Sequence, residues 1–270
     1  MFGRRQAATL IAEFLGTGIL VLVFLSVQRS TIGVPYFIAL AAGAAVAVAA
    51  FYFGDSSGAH LNPAITLALW TARKMKTVVA LAYIIVQLLG AWAAYGIYHY
   101  FVNTSLQPIG GHYSARILLA EAVGALILAL AWGAVYFKKF DTTNRALLLG
   151  GSYALAIIVS ASAGIGIANP AVAFGIRAWG INGVMGWGTY ALGPVLGAII
   201  GVNLYALLFS SDTETVLVES ETIVLTESAM PARTASSSTS TNSSKKSTAK
   251  KASTSKKSTA KKATTSKKRR

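Results

Sequence analysis

The tripeptide Asn-Pro-Ala occurs twice, at Asn62-Pro63-Ala64 and at Asn169-Pro170-Ala171, in a chain made mostly of long apolar stretches. A helix needs about 20 apolar residues to cross the hydrocarbon core of a bilayer. Six stretches qualify, at about 7–27, 34–53, 77–101, 115–137, 146–163 and 187–209. The two segments that open with the tripeptide, about 62–72 and 169–178, are too short to span. Each begins with proline just after asparagine, and proline suits the first turn of a helix. Both are therefore predicted to be half-helices entering from opposite sides. Non-helical backbone survives at membrane depth only when buried in protein or lining water. The fold class expected is an all-α membrane protein of six transmembrane helices and two re-entrant half-helices.

The chain also repeats itself. Ala12-Glu13-Phe14-Leu15-Gly16-Thr17 opens the first span, and Ala120-Glu121-Ala122-Val123-Gly124-Ala125 opens the fourth. Asn62 follows Glu13 by 49 positions and Asn169 follows Glu121 by 48. Each half, about 7–101 and about 115–209, thus holds three spans and one half-helix in the same order. An odd number of spans per half forces opposite topologies on the two halves. Inverted repeats with paired broken segments put the working site near the midplane, between the repeats. Gly16, Gly43, Gly90, Gly124, Gly150, Gly193 and Gly197 fall on predicted helix faces. Lipid gives helices no hydrophobic reason to associate, so close backbone packing at such small residues must supply it.

Charge agrees with a bilayer as solvent. Only 12% of residues are charged and 54% are hydrophobic, whereas a soluble domain carries about 25% charged residues. Mean hydropathy is +0.57. Up to Phe209 there are eleven basic and four acidic residues; the other thirteen bases and five acids lie beyond it. Basic residues near span ends mark the cytoplasmic side. Arg4, Arg5, Arg73, Lys74, Lys76, Lys138, Lys139, Arg145 and the tail fall on one side, and Arg29, Arg116 and Arg177 on the other. Both termini are expected in the cytoplasm. With no cysteine, neither a disulfide nor a thiolate metal site can form. No nucleotide site, metal cluster or catalytic triad is visible, so the expectation is neither an enzyme nor a pump, with no cofactor and no metal.

The chemistry sits at the two turns. A half-helix N-terminus exposes unpaired N–H groups and about half a positive charge. Two such ends facing each other make the midplane hostile to cations. Asn62 and Asn169 can point amide N–H donors at a passing water or hydroxyl, which must then present its oxygen. That orientation interrupts a proton wire while neutral solute passes. Carbonyls of the loops before each asparagine, Gly58 to Leu61 and Gly166 to Ala168, would supply acceptors. Helix capping by the same side chains is the other reading, and both roles fit one geometry. Glu13 and Glu121 are ionisable groups inside apolar spans, and such groups are functional suspects by default.

The run Ser57-Gly58-Ala59-His60-Leu61-Asn62-Pro63-Ala64-Ile65-Thr66, with Asn169-Pro170-Ala171, resembles the signature of the aquaporin, or major intrinsic protein, family. Gln87 and Gly90 in the third span match it, as do Trp187, Gly193-Pro194, Gly197-Ala198 and Tyr205 in the sixth. The resemblance covers residues 7–209 and implies an aquaglyceroporin-like channel for water and small neutral solutes such as glycerol, assembled as a homotetramer in the lipid bilayer. It also implies that Glu13 and Glu121 accept hydrogen bonds from the re-entrant loops and so hold the asparagines. His60 matches a family position and is expected to be a structural hydrogen-bonder.

The selectivity filter is where the sequence departs from the family. The usual arginine directly after the second Asn-Pro-Ala is replaced by Val172. Arg177 lies five residues on, about 7–8 Å farther out and about 140° round a helix, and is a poor substitute. Counting from the asparagines puts the other filter positions at Ala42, Ile157 and Gly166. That set is small, apolar and uncharged, which predicts a wider filter that admits glycerol or urea besides water. Without the arginine a cation barrier is lost, so a leaky solute or ion pore is one alternative. A membrane scaffold or adhesion protein with little conductance is another.

Residues 210–270 change character. From Thr234 on they are mostly Ser, Thr, Ala and Lys, and Lys245-Lys246-Ser-Thr-Ala-Lys250-Lys251 recurs eleven residues later. Such a segment cannot bury enough apolar surface to fold. A disordered cytoplasmic tail is expected, with anionic lipid headgroups as one partner and nucleic acid as a weaker one.

Overall fold

A computed structural model describes residues 3–30, 34–104, 113–178 and 188–210. These lie in the first of two units into which the chain divides, Met1–Val216. The expected tail beyond Ser210 lies outside the described residues.

The described residues form helices α1 (Arg4–Gln28), α2 (Pro35–Ser57), α3 (Pro63–Thr71), α4 (Thr77–Val102), α5 (Ala115–Phe137), α6 (Thr142–Ser160), α7 (Pro170–Gly175) and α8 (Gly193–Phe209). A π-helical turn, Gly188–Leu192, leads into α8. Proline opens α2, α3 and α7, where its missing N–H is not needed. Gly58 ends α2 with φ +82°, a left-handed conformation that costs glycine little. Asp141 caps α6 by accepting from the Asn144 N–H at 3.0 Å. That bond holds its carboxyl below the usual aspartate range.

Among the described residues five helical segments are long and apolar enough to cross a membrane: α1, α2, α4, α5 and Gly188–Phe209. The expected span at 146–163 begins earlier, at Thr142, and ends at Ser160. Its first turn, Thr-Thr-Asn-Arg, dilutes its apolarity. Arg145 in that turn pairs with Asp55 at 2.6 Å, tying the start of α6 to the end of α2. The second half-helix is shorter than expected, ending at Gly175.

Burial inverts the pattern of a soluble protein. On α4, Val78, Leu81, Ile85, Leu89 and Trp92 run down one face and are exposed, whereas Gln87 on the opposite face is fully buried. The outer surface is apolar and the polar groups point inward, as a lipid surround requires.

The two halves pack by the same rules. Glycine lets backbones touch at equivalent places: a Cβ on Gly90 would strike the Phe14 carbonyl oxygen, and one on Gly197 the Ala122 carbonyl oxygen. The first contact joins α4 to α1 and the second joins α8 to α5. Between the halves, Gly43 of α2 and Gly150 of α6 each lie against the other's carbonyl oxygen. This reciprocal contact marks a two-fold relation between the repeats. One end of the bundle carries Thr9, Ser56, Asp55 and Arg145, joined by hydrogen bonds and the ion pair. Lys74 lies over the Phe137 ring at the same end, the basic face of the bundle. The opposite face carries Arg177 against Tyr95.

Candidate functional site

The two Asn-Pro-Ala turns meet. Asn62 donates from Nδ2 to the Ala168 carbonyl at 2.9 Å, and Asn169 donates from Nδ2 to the Leu61 carbonyl at 2.9 Å. Each asparagine therefore reaches across to the residue just before the other. The Oδ1 atoms cap their own helices, accepting from Ala64 N and Ala171 N at 2.9 Å each. Val172 N also approaches the Asn169 oxygen, at 3.4 Å. Pro63, Ala64, Pro170 and Ala171 are buried at the start of the two helices. An asparagine side chain has two N–H donors and one oxygen. Capping uses the oxygen and the crossed bond uses one N–H; a second N–H remains on Asn62, while that of Asn169 lies beside the Tyr153 hydroxyl.

The crossing depends on an unusual backbone. Ala59 and Leu61 before the first turn, and Gly166 and Ala168 before the second, all have φ between 50° and 75°. Left-handed residues alternating with ordinary ones aim successive N–H groups to the same side, making a concave anion-binding nest. The N–H groups of His60 and Leu61 point at Glu13, at 2.9 and 2.8 Å. Those of Ile167 and Ala168 point at Glu121, at 2.9 and 2.6 Å. Both glutamates are fully buried. Each carboxyl satisfies two loop N–H groups that would otherwise be orphaned at a cost of about 1–3 kcal/mol apiece.

Around Glu13 the structure adds side chains. Gln87 donates from Nε2 to Glu13 Oε2 at 2.8 Å and to Thr66 Oγ1 at 3.1 Å. His60 pairs through Nδ1 with Thr66 Oγ1 at 3.2 Å and through Nε2 with the Tyr136 hydroxyl at 2.8 Å. Its ring meets Tyr83 edge-on, centroids 5.1 Å apart. The Tyr83 hydroxyl donates to the Ser57 carbonyl at 2.9 Å. Around Glu121 there is less. Tyr153 donates to the Ile167 carbonyl at 3.0 Å, and its hydroxyl also lies beside the Asn169 side chain.

Sequence reasoning assigned no role to Thr66, Tyr136, Tyr83 or Tyr153. Thr66 was legible in principle, since it lies one helical turn after Asn62 on a half-helix whose start was known. Tyr136, fifteen residues after Glu121, reaches His60 only through the packing of α5 beside α3, which no local pattern records.

The four counted filter positions are all buried. Gly166 lies against Ile157: a Cβ there would be 2.5 Å from the Ile157 carbonyl oxygen. Ala42, Ile157 and Val172 belong to one apolar core. Arg177 is turned away toward α4. Its Nη1 donates to the Tyr95 hydroxyl at 3.1 Å, and its guanidinium carbon is 5.6 Å from the centre of that ring. Among the described residues no group of three or more histidines, cysteines, aspartates or glutamates is placed to hold a metal.

Comparison with known proteins agrees with this architecture. The glycerol uptake facilitator protein of Escherichia coli K12 is 31% identical, over 73% of this chain and 86% of its own length. Aquaporin AqpM of Methanothermobacter thermautotrophicus is 30% identical, over 64% of this chain and 76% of its own. The X-ray structure of the aquaglyceroporin from Plasmodium falciparum superposes with a TM-score of 0.61 at 20% identity, covering 74% of this chain and 95% of that one. The family model for the major intrinsic protein matches residues 4–205. The chain is thus a member of the major intrinsic protein family of passive membrane channels, and not an enzyme.

Proposed function

We propose that this channel passes water and small neutral solutes such as glycerol, and that Asn62 and Asn169 bar protons and cations where the two turns meet. The observation that carries the reading is the crossed pair of asparagine-to-carbonyl bonds. It fixes both amides and leaves Asn62 a second N–H for the oxygen of a passing solute, while Asn169 shares its own with the Tyr153 hydroxyl. A donor-only station accepts an oxygen and refuses a proton-carrying chain of waters. Glu13 and Glu121 serve as the posts that hold the loops, and His60 braces the first of them.

Selectivity is set by what surrounds the turns. Ala42, Ile157, Gly166 and Val172 offer no charge, so a solute with carbon atoms meets apolar walls. The names of two relatives, a glycerol uptake facilitator protein and an aquaporin, fit that range of solutes. Purified protein in vesicles, studied by stopped-flow light scattering, should pass glycerol and urea well above empty vesicles. Flux of water alone would overturn the broad filter. Asn62→Asp and Asn169→Asp place an acceptor at the station and should admit cations.

One observation favours a second reading, a partial ion leak. Val172 stands where a filter arginine is usual, and Arg177 is held by Tyr95 instead. Potassium flux from the unmodified protein, measured under a valinomycin-free gradient, separates the two readings. In the cell both termini face the cytoplasm, with the basic face inward, and four copies assemble, each with its own path. The tail, 210–270, meets anionic lipid. Light scattering of the purified protein tests the tetramer, and protease access in sealed vesicles tests the orientation.

A further inference from the structure

The largest fully buried side chain among the described residues is Trp132, on α5. Its indole nitrogen is buried and has no hydrogen-bond partner in the protein. An unpaired donor in that setting costs about as much as a lost hydrogen bond, so its direction is informative.

The packing of α5 gives that direction. Ala122, Leu126 and Ala129 lie against Gly197 and Gly201 of α8. Gly124 lies against Ser160 of α6, whose hydroxyl donates to the Ala120 carbonyl. Successive residues turn about 100° around a helix. The arc between the α8 side and the α6 side is the arc on which Glu121 points inward to the second loop. Trp132 is eleven residues on, only about 20° round from Glu121 and about 16 Å nearer the basic face. One turn further, Tyr136 reaches the ring of His60. Trp132 therefore faces the interior of the bundle between the Asn-Pro-Ala turns and the basic end.

We propose that Trp132 lines the conducting path in this half of the channel and that its indole N–H donates to the acceptor oxygen of a polyol or urea-like solute. The inference rests on the channel reading above and assigns it a second selective station. The four small filter positions lie toward the opposite face and offer a dehydrated solute no charged or hydroxyl side chain. Trp132 offers a wide ring and one fixed donor. The equivalent residue of the first half, eleven positions after Glu13, is Phe24, which is also fully buried and has no donor. The two halves thus present a similar ring at matching places, and only one of them can hydrogen-bond.

Trp132→Phe copies the first half's own solution, keeps the ring and removes the donor. In vesicles containing the full chain, glycerol permeability relative to water should fall about three- to tenfold, the size of one lost neutral hydrogen bond. Trp132→His returns a ring N–H and should recover part of that ratio. An unchanged ratio in Trp132→Phe overturns the proposal while leaving the channel reading intact. An equal fall in the Phe and His variants also overturns it, since a packing role alone would not distinguish them. Failure of the unmodified protein to conduct any solute removes both readings together.

Discussion

In the first half of the chain the Glu13 carboxyl receives four donors, two from the loop backbone and one each from the Gln87 and Ser57 side chains. In the second half the Glu121 carboxyl receives only the two loop N–H groups. The position matching Gln87 is Pro194, which has no side-chain donor. His60 and Thr66 likewise give way to Ile167 and Ala173. What the halves share is therefore backbone: the left-handed residues before each turn, the N–H groups aimed at a glutamate, and the crossed asparagine bonds. What they do not share is the polar lining behind that backbone. A buried carboxyl and two N–H groups suffice to build a re-entrant turn, and the extra side chains of the first half are an addition made toward the basic face.

The sharpest way to break this comparison is to remove the carboxyls. Glu121→Ala strands two buried N–H groups and should cost about 2–6 kcal/mol. Glu13→Ala also strands the Gln87 and Ser57 side-chain donors, and should cost about 1–3 kcal/mol more. Thermal melting of detergent-purified protein would rank them, and equal losses would show that Gln87 and Ser57 add nothing.

Next come the matched glycines. Gly197→Ala and Gly90→Ala each drive a methyl into a carbonyl oxygen at equivalent places, Ala122 and Phe14. Overpacking of this kind costs about 1–3 kcal/mol. The approach is closer at Gly197, so its variant should melt lower, and the reverse order would mean that α8 yields more easily than α4.

A smaller effect is expected at Tyr136. Tyr136→Phe removes the hydroxyl paired with His60 and should cost about 1 kcal/mol, with no counterpart to lose in the second half. Asp55→Asn, which discharges an ion pair whose acid is 77% exposed, should shift the melting point least, within about 1 kcal/mol. Acid has its own mark on Asp141. Its capping bond to Asn144 lowers its folded pKa, so the stabilisation is present above the unfolded value and fades as pH falls through the folded one. Asp141→Asn, which keeps the capping oxygen, should remove that part of the low-pH melting profile.

Much of this architecture could be read from the chain. Two Asn-Pro-Ala turns at 49 and 48 residues from matching glutamates fix the inverted repeat, because apolar length and spacing are local properties. Glu13, Glu121, Asn62 and Asn169 stand out for the same reason, as polar groups amid apolar ones. The capping and the donor readings of the asparagines needed no choice, since the oxygen serves one and the nitrogen the other. The boundary of α6 was harder. Arg145 looks like the flank of a span, but the Asp141 cap starts the helix before it, at Thr142. Tyr136, Tyr153 and Trp132 were invisible as site residues because aromatics are common in apolar spans. Their importance comes from direction, which depends on how α5 and α6 are rotated against their neighbours.

The crossed asparagine bonds bear also on how the protein is made. Asn62 and its partner carbonyl on Ala168 are separated by 106 residues. At about 5–20 residues per second of synthesis, the first turn waits roughly 5–20 s before the residue that completes it exists. For that interval the first three spans carry an inserted loop whose amide has nothing to hold. The midplane closes only when the later half arrives, so the order of synthesis makes the second half the one that finishes the first.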